Sequence, residues 1–404
     1  MSHPLTGLRV VEFCNVAAGP FCGMLLADMG ADVIKVERPD GGDTLRQWPP
    51  LTDGYSENFA SLNRNKRSVA LDLKDPADLR RADDLVMSAD IVVENNRTGV
   101  MSRLGLGYAA FRERHPALVY CSISAYGQEG PRAHEAGFDL TMQAMSGIMS
   151  VTGEPGGDPV KCGVPISDFC TGLYAAFAVV SAILEVRRTG RGAHVDASML
   201  GSSLAVAALQ TSQYFGSGAD PRKLGSAHPR NAPYQAFRAA DGHFAMAAGT
   251  QALWESACAA IERPELADDP RFATTADRAA NQDELRQLLE TAFADRTRAD
   301  LITLFRRAGV ACAPINGYSE ILADPQVGHM SWIQEITLPN GSGTRTFASP
   351  LRFNGEGFPI RRDPPALGAH TEEVLAALPE RAAREGGAPP ASPSRTPHEG
   401  AAHE

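Results

Sequence analysis

Gly163-Val-Pro-Ile-Ser-Asp-Phe-Cys-Thr-Gly172 carries one acidic side chain, Asp168, where a short apolar run gives way to a helix-forming stretch. Leu173, Ala176, Phe177, Val180, Ile183 and Leu184 recur at helical spacing and are expected on one buried face. Arg187, Arg188 and Gly190 read as a cationic last turn and a stop. Asp168 is therefore expected where a loop feeds a helix N-terminus, beside backbone N–H groups that favour an ionised carboxylate. Such a group can be the nucleophile of covalent catalysis, or it can cap the helix. Cys170, two residues on, is a nucleophile by type, but a free cysteine more often serves as a small buried hydrophobe.

The elements that must position this stretch are legible upstream. Leu8 to Phe13 reads as a buried strand, Ala18-Gly19-Pro20 as a turn and Phe21 to Met29 as a helix. Val33 to Glu37 then reads as a second strand. Strand, helix and strand within about thirty residues make a βαβ unit and imply a parallel sheet. The Gly-rich dinucleotide fingerprint is absent from the first turn, Asn15-Val-Ala-Ala-Gly-Pro20, which disfavours a nicotinamide enzyme. Asn63 to Ser68 reads as a basic loop before a strand at Val69 to Leu73; Ala89 to Glu94 and Val119 to Ser124 are further strands. His194 to Met199 reads as a strand turning into a helix. Alternation of this kind predicts an α/β, Rossmann-like unit.

From about residue 212 glycines and prolines mark a long connection. Tyr234 to Phe237 and His243 to Ala248 frame a hairpin at Asp241-Gly242, and helices follow from Trp254 to about residue 308. These form a smaller α+β unit, after which Val310 to Ile315 is expected to be a strand that returns to the first domain. From Pro379 to Glu404 the composition is that of a disordered tail.

Composition narrows the function. A net charge of −10 on 404 residues disfavours general nucleic-acid binding, while leaving enough local cations for a phosphate-bearing ligand. Seven scattered cysteines without paired spacing suit a reducing compartment and give no metal or disulfide framework. The start of the chain lacks the basic and apolar regions of a signal peptide. The apolar run Leu173 to Val186 falls short of the ~20 residues of a membrane span. A cytoplasmic protein that touches no membrane is expected.

Taken together, several segments resemble the class III coenzyme A transferases, which include formyl-CoA transferase, the carnitine CoA-transferase-like proteins and α-methylacyl-CoA racemase. The resemblance runs from about residue 4 to about residue 378. It is carried by Val16 to Pro20, Gly30 to Arg38, Asn63 to Lys74, Val93 to Asn95, Gly163 to Gly172, Thr189 to Gly192 and Leu367 to Glu373, in that order and spacing. It implies a large domain built from both chain ends (residues 1–211 and 309–378), a small domain at 212–308, and an interlocked homodimer. It further implies an acyl-CoA and a small carboxylic acid as substrates, with no metal and no tightly bound cofactor.

Residue by residue, the family's nucleophilic aspartate matches Asp168. Its coenzyme A contacts match Val16, Ala17, Ala18, Arg38, Leu71, Lys74, Asn95 and Arg103. The three cations, at or near strand ends, suit the nucleotide phosphates. The implied route passes through an acyl-aspartyl anhydride and an aspartyl-CoA thioester, with oxyanion donors expected at the helix start near Thr171-Gly172.

Three departures refine this. Ala17 stands where formyl-CoA transferase has glutamine, and that enzyme's tetraglycine loop has no counterpart, so oxalate-type chemistry is disfavoured. Phe138 stands where the racemases have a catalytic histidine, and phenylalanine moves no proton. An isomerase would need another base, such as His134. A CoA-binding protein without catalysis is the remaining alternative. The segment His228 to Tyr234 resembles relatives acting on dicarboxylates such as succinate, glutarate or C5 branched acids; Arg230 or His228 could hold a distal carboxylate or only shape the connection.

Overall fold

Six short segments become the strands of one sheet: β1 (Arg9–Phe13), β2 (Asp32–Glu37), β3 (Lys66–Ala70), β4 (Ile91–Glu94), β5 (Val119–Ser124) and β6 (Ala193–Ser198). In the computed structural model, which describes residues 3–378, they pair in the order β3-β2-β1-β4-β5-β6. Every pair is parallel. Runs such as Ile-Val-Val-Glu do not alternate, because both faces of the sheet are covered.

Helix α1 (Ala18–Asp28) lies on one face, where Cys22 and Leu26 meet Val10, Val33 and Ile91. Helix α2 (Pro76–Met87) covers the other, setting Ala82, Leu85 and Val86 on Val11, Ile34 and Val92. Asp75 starts α2 by accepting the N–H groups of Ala77 and Asp78, with Pro76 in the first helical position. Between β5 and β6 come α3 (Asp139–Met145) and the 24-residue α4 (Ile166–Thr189), which packs beside α1. That crossing is backbone against backbone: a Cβ on Gly172 would lie 2.8 Å from the Ala18 carbonyl oxygen. Helices α5 (Met199–Val206) and α6 (Ala208–Ser217) follow β6.

A second core gathers around an antiparallel sheet of β7 (Tyr234–Ala239), β8 (Gly242–Ala247) and β9 (Ala311–Pro314). Phe237, Phe244, Trp254, Phe293 and Phe305 fill it from the sheet, α7 (Gln251–Ala260), α8 (Gln282–Phe293) and α9 (Arg298–Arg307). The chain end returns to the edge of β3. His370 N–H donates to Ser68 O and Thr371 Oγ1 accepts Ala70 N–H, while Val374 of α10 (Thr371–Ala376) enters the core beside α2. The mixed α/β fold is thus built from both ends of the chain. The tail from Pro379 lies outside the described residues.

Four local expectations are corrected. Ala18-Gly19-Pro20 is not a turn but the first turn of α1, where proline's missing N–H costs nothing. The basic run is no loop: Lys66 and Arg67 are buried in β3 and, with Arg64, pair with Glu12, Asp32 and Asp28. Residues Val310 to Ile315 do not rejoin the large sheet; β9 pairs with β8, so the return comes after Pro314 rather than at residue 309. Finally, α4 buries its small stripe, Ala175, Ala176, Val179 and Ile183, whereas Leu173, Phe177 and Leu184 are 54%, 74% and 62% exposed. Small side chains let α4 approach the sheet, and the bulky stripe is left outward. By length and composition α4 alone among the described helices could cross a membrane; a third of its most apolar window is buried against the fold.

Candidate active site

The strand order reverses between β1 and β4, so the loops leaving their C-terminal ends diverge and open a crevice, the usual ligand site of such sheets. Asn95, following β4, ties the two loops together. Its carboxamide oxygen accepts Asn15 N–H at 2.8 Å and its amide donates to Asn15 O at 2.8 Å. Asn96 Nδ2 donates to Phe13 O at 3.1 Å. Both loops line a cavity of about 230 Å³, together with the end of β5, the Ala133–Phe138 approach to α3, Met199 and Asp168.

Asp168 occupies the first turn of α4, which begins at Ile166. Among the described residues no donor reaches its carboxylate. The capping role falls instead to Asp139, 28 residues before Ser167: its Oδ1 accepts Ser167 N–H at 2.9 Å. Asp139 Oδ2 accepts Gln143 Nε2 at 2.7 Å, and Gln143, fully buried, accepts Cys162 N–H at 2.8 Å. The approach to α4 is thus pinned at two points by α3. Burial first, and the Asp139 charge second, push the Asp168 carboxyl up to about 7. This reverses the expected preference for the ionised form, since the N–H that would have favoured it is spent on Asp139.

Of the residues singled out by sequence, the structure gathers Val16, Ala17, Ala18, Asn95 and Asp168 around one cavity. Arg38, Leu71, Lys74 and Arg103 do not line it. Arg38 is exposed after β2, its Nε donating to Gly42 O at 3.1 Å. Lys74 is exposed before α2, and Arg103 is exposed at the end of the helical turn Val100–Arg103. Leu71 is 1% exposed in the core, so only its backbone can meet a ligand.

Thr171 and Gly172 are corrected as oxyanion donors, because they lie inside α4, beyond its first turn. The start of α1 fits better: Ala17 caps it without a side-chain hydrogen bond, and Val16 to Ala18 face the cavity. Cys170 is buried, its thiol directed at Ser167 O and pushed up by burial. Phe138 lines the cavity, while the exposed His134 does not. His228 and Arg230 also lie outside it; His228 packs on Tyr234 and Arg230 donates to Gln213. Sequence reading missed Asp139 and Gln143, whose partners are distant in the chain. The only local signal was an acidic residue opening a helix.

The model of CoA-transferase family III matches residues 5–371. The chain belongs to that family. This CoA-transferase is 40% identical over 382 residues to the succinate–glutarate CoA-transferase of Agrobacterium fabrum, covering 93% of this chain and 96% of that one. It is 38% identical to the succinyl-CoA:glutarate CoA-transferase of Mus musculus, over 92% of this chain and 86% of the relative. A CAIB/BAIF family protein from Brucella suis superposes with a TM-score of 0.83 at 38% identity, over 94% of this chain and all of that one. The enzyme works between an acyl-CoA and a carboxylate. Among the described residues no group of three His, Cys, Asp or Glu side chains is placed to hold a metal ion.

Proposed function

We propose that the enzyme transfers coenzyme A from an acyl-CoA to a small dicarboxylate, such as succinate, glutarate or a C5 branched acid, through covalent attachment at Asp168. The observation that carries this reading is a carboxylate with no hydrogen-bond donor among the described residues, half-buried in the crevice at the strand-order reversal. A carboxylate so stripped of solvent is a stronger nucleophile once ionised.

Asp168 adds to the thioester carbonyl carbon; the C–S bond breaks and its electron pair leaves with the coenzyme A thiolate, giving a mixed anhydride. The thiolate attacks the aspartyl carbonyl and expels the donor acid as its carboxylate, giving an aspartyl-CoA thioester. The acceptor carboxylate attacks that carbonyl and releases the thiolate again. Attack of the thiolate on the new acyl group regenerates the Asp168 carboxylate and forms the new acyl-CoA. Each step takes in one anion and releases one, so no proton must move. A phenylalanine at position 138 is compatible with that. The uncapped start of α1 presents Ala17 and Ala18 N–H groups to the developing oxyanions.

The cavity is sized for the thioester end, leaving the nucleotide to the surface cations Arg38, Lys74 and Arg103 and to the Leu71 backbone. The outward stripe of α4, with Leu209 and Phe215 of α6 at 62% and 82% exposure, supports a second copy of the chain as its cover. The same reading keeps residues 1–211 and the chain end in one domain with the segment from 212 as a smaller one, and places the enzyme in the cytoplasm.

Names of the relatives support a dicarboxylate acceptor. The test is incubation in heavy water with mixed acyl-CoAs and free acids, read by mass spectrometry. New acyl-CoA without α-deuterium is expected; deuterium gained without acyl exchange would make the enzyme an isomerase.

A further inference from the structure

Beneath the Val16–Ala18 loop lies a row of buried charges that the transfer chemistry does not use. Glu12, Lys35, Asp43 and Lys66 are each 0% exposed. Lys35 Nζ lies 3.0 Å from Glu12 Oε1 and 3.0 Å from Asp43 Oδ2, and Lys66 Nζ lies 2.8 Å from Glu12 Oε2. Two cations balance two carboxylates, the arrangement that makes buried charge tolerable. The row also touches the loop at both flanks and in the middle. Lys35 Nζ donates to Cys14 O at 2.7 Å, Lys66 Nζ donates to Pro20 O at 2.8 Å, and Asp43 accepts Val16 N–H at 3.1 and 3.2 Å.

Val16 needs this support. Its φ is 65°, in the left-handed region that a β-branched side chain avoids, and a valine there persists only where its surroundings over-determine it. Asp43 is itself fixed: its N–H donates to Glu37 Oε2 at 3.0 Å and its Oδ1 accepts Leu45 N–H at 2.9 Å. Glycine at position 23 admits the row under α1, since a Cβ there would lie 1.9 Å from Glu12 Oε2.

We propose that Asp43 is a positioning residue for acyl-CoA: by accepting the Val16 N–H it holds the loop in the conformation that turns Ala17 and Ala18 toward the crevice. The inference rests on reading Val16 to Ala18 as an acyl-CoA contact. Asp43 does not line the cavity, so it acts only through the loop: its loss weakens coenzyme A binding and, because Ala17 and Ala18 also face the developing oxyanions, slows the transfer at Asp168.

The test compares full-length wild type, Asp43→Ala, and Asp43→Ala combined with Val16→Gly. Calorimetry gives the Kd for coenzyme A, steady-state kinetics gives KM and kcat, and thermal melts monitor folding. Asp43→Ala should weaken coenzyme A binding and raise the acyl-CoA KM about tenfold, and should also lower kcat, since the Ala17 and Ala18 N–H groups leave the oxyanion position. Adding Val16→Gly should recover part of that loss, because glycine adopts the left-handed conformation without an acceptor to hold it. A folded Asp43→Ala enzyme with wild-type Kd, or a loss that Val16→Gly does not reduce, overturns the proposal. Should Asp43→Ala not fold, Lys35→Met/Asp43→Val removes the opposite charges together, frees the Val16 N–H, and carries the same comparison with and without Val16→Gly. A wild type that binds coenzyme A but transfers nothing would defeat the proposed function, while the Kd series would still decide the role of Asp43.

Discussion

Replacing Asp168 by asparagine should make the protein more stable and abolish transfer. The carboxyl moves from an ordinary value of 3.8 to about 7, because burial and then Asp139 oppose its charge. A group whose folded value is raised binds its proton more tightly in the native state, so its favourable contribution is complete below pH 3.8 and is lost as pH rises through 7. Above pH 8 the ionised side chain is held against a cost of about 3 units at 1.36 kcal/mol each, or about 4 kcal/mol at most. Relaxation and solvent at the open side of the cavity reduce this to about 1–2 kcal/mol. Asparagine fills the same volume without charge. Denaturant unfolding at pH 4, 6 and 8.5 should therefore show no difference at pH 4, and a gain of about 1–2 kcal/mol for Asp168→Asn at pH 8.5. A variant equal to or less stable than wild type at pH 8.5 would refute the reasoning, because the carboxylate would then be stabilised by its site.

Asp139→Asn removes the neighbouring charge while keeping an acceptor for Ser167 N–H; the acid limb of kcat/KM, expected near pH 7 for wild type, should move to lower pH, read from a pH–rate profile. Gly172→Ala places a Cβ 2.8 Å from Ala18 O and should cost about 1–3 kcal/mol in thermal or denaturant unfolding, since backbone cannot yield as a flexible side chain does. Phe177→Asp puts a charge at the centre of the outward stripe of α4; light scattering should show a dimer of the 43.0 kDa chain for wild type and its loss in the variant.

What could be read from the sequence follows the range of the interactions involved. Strands β1, β2 and β4 are local runs rich in Val and Ile, and β5 is a short run of β-favouring residues, so their positions are legible from pattern alone. Asp168 was marked by its motif. Strand pairing was not local: β9 looks like any short apolar run, and only its partner β8 shows where it belongs. Buried lysines were equally hidden. Lys35 and Lys66 look like solvated charges until Glu12 and Asp43, up to 54 residues away in the chain, are brought beside them. The capping of α4 by Asp139 spans 28 residues and leaves no trace near Asp168, which is why the carboxylate was expected to be ionised. On α4 itself two stripes carry apolar residues, and size decided which faced the sheet.

The central claim is that Asp168 carries the acyl group and then coenzyme A. The most direct measurement is peptide mass spectrometry of enzyme incubated with acyl-CoA and hydroxylamine, which converts an activated aspartyl carbonyl to a hydroxamate. The account predicts that mass change on the peptide containing Asp168, dependent on acyl-CoA and absent from Asp168→Ala, which should also have lost transfer. Turnover by Asp168→Ala at the wild-type rate, or modification at any other carboxylate, would contradict it.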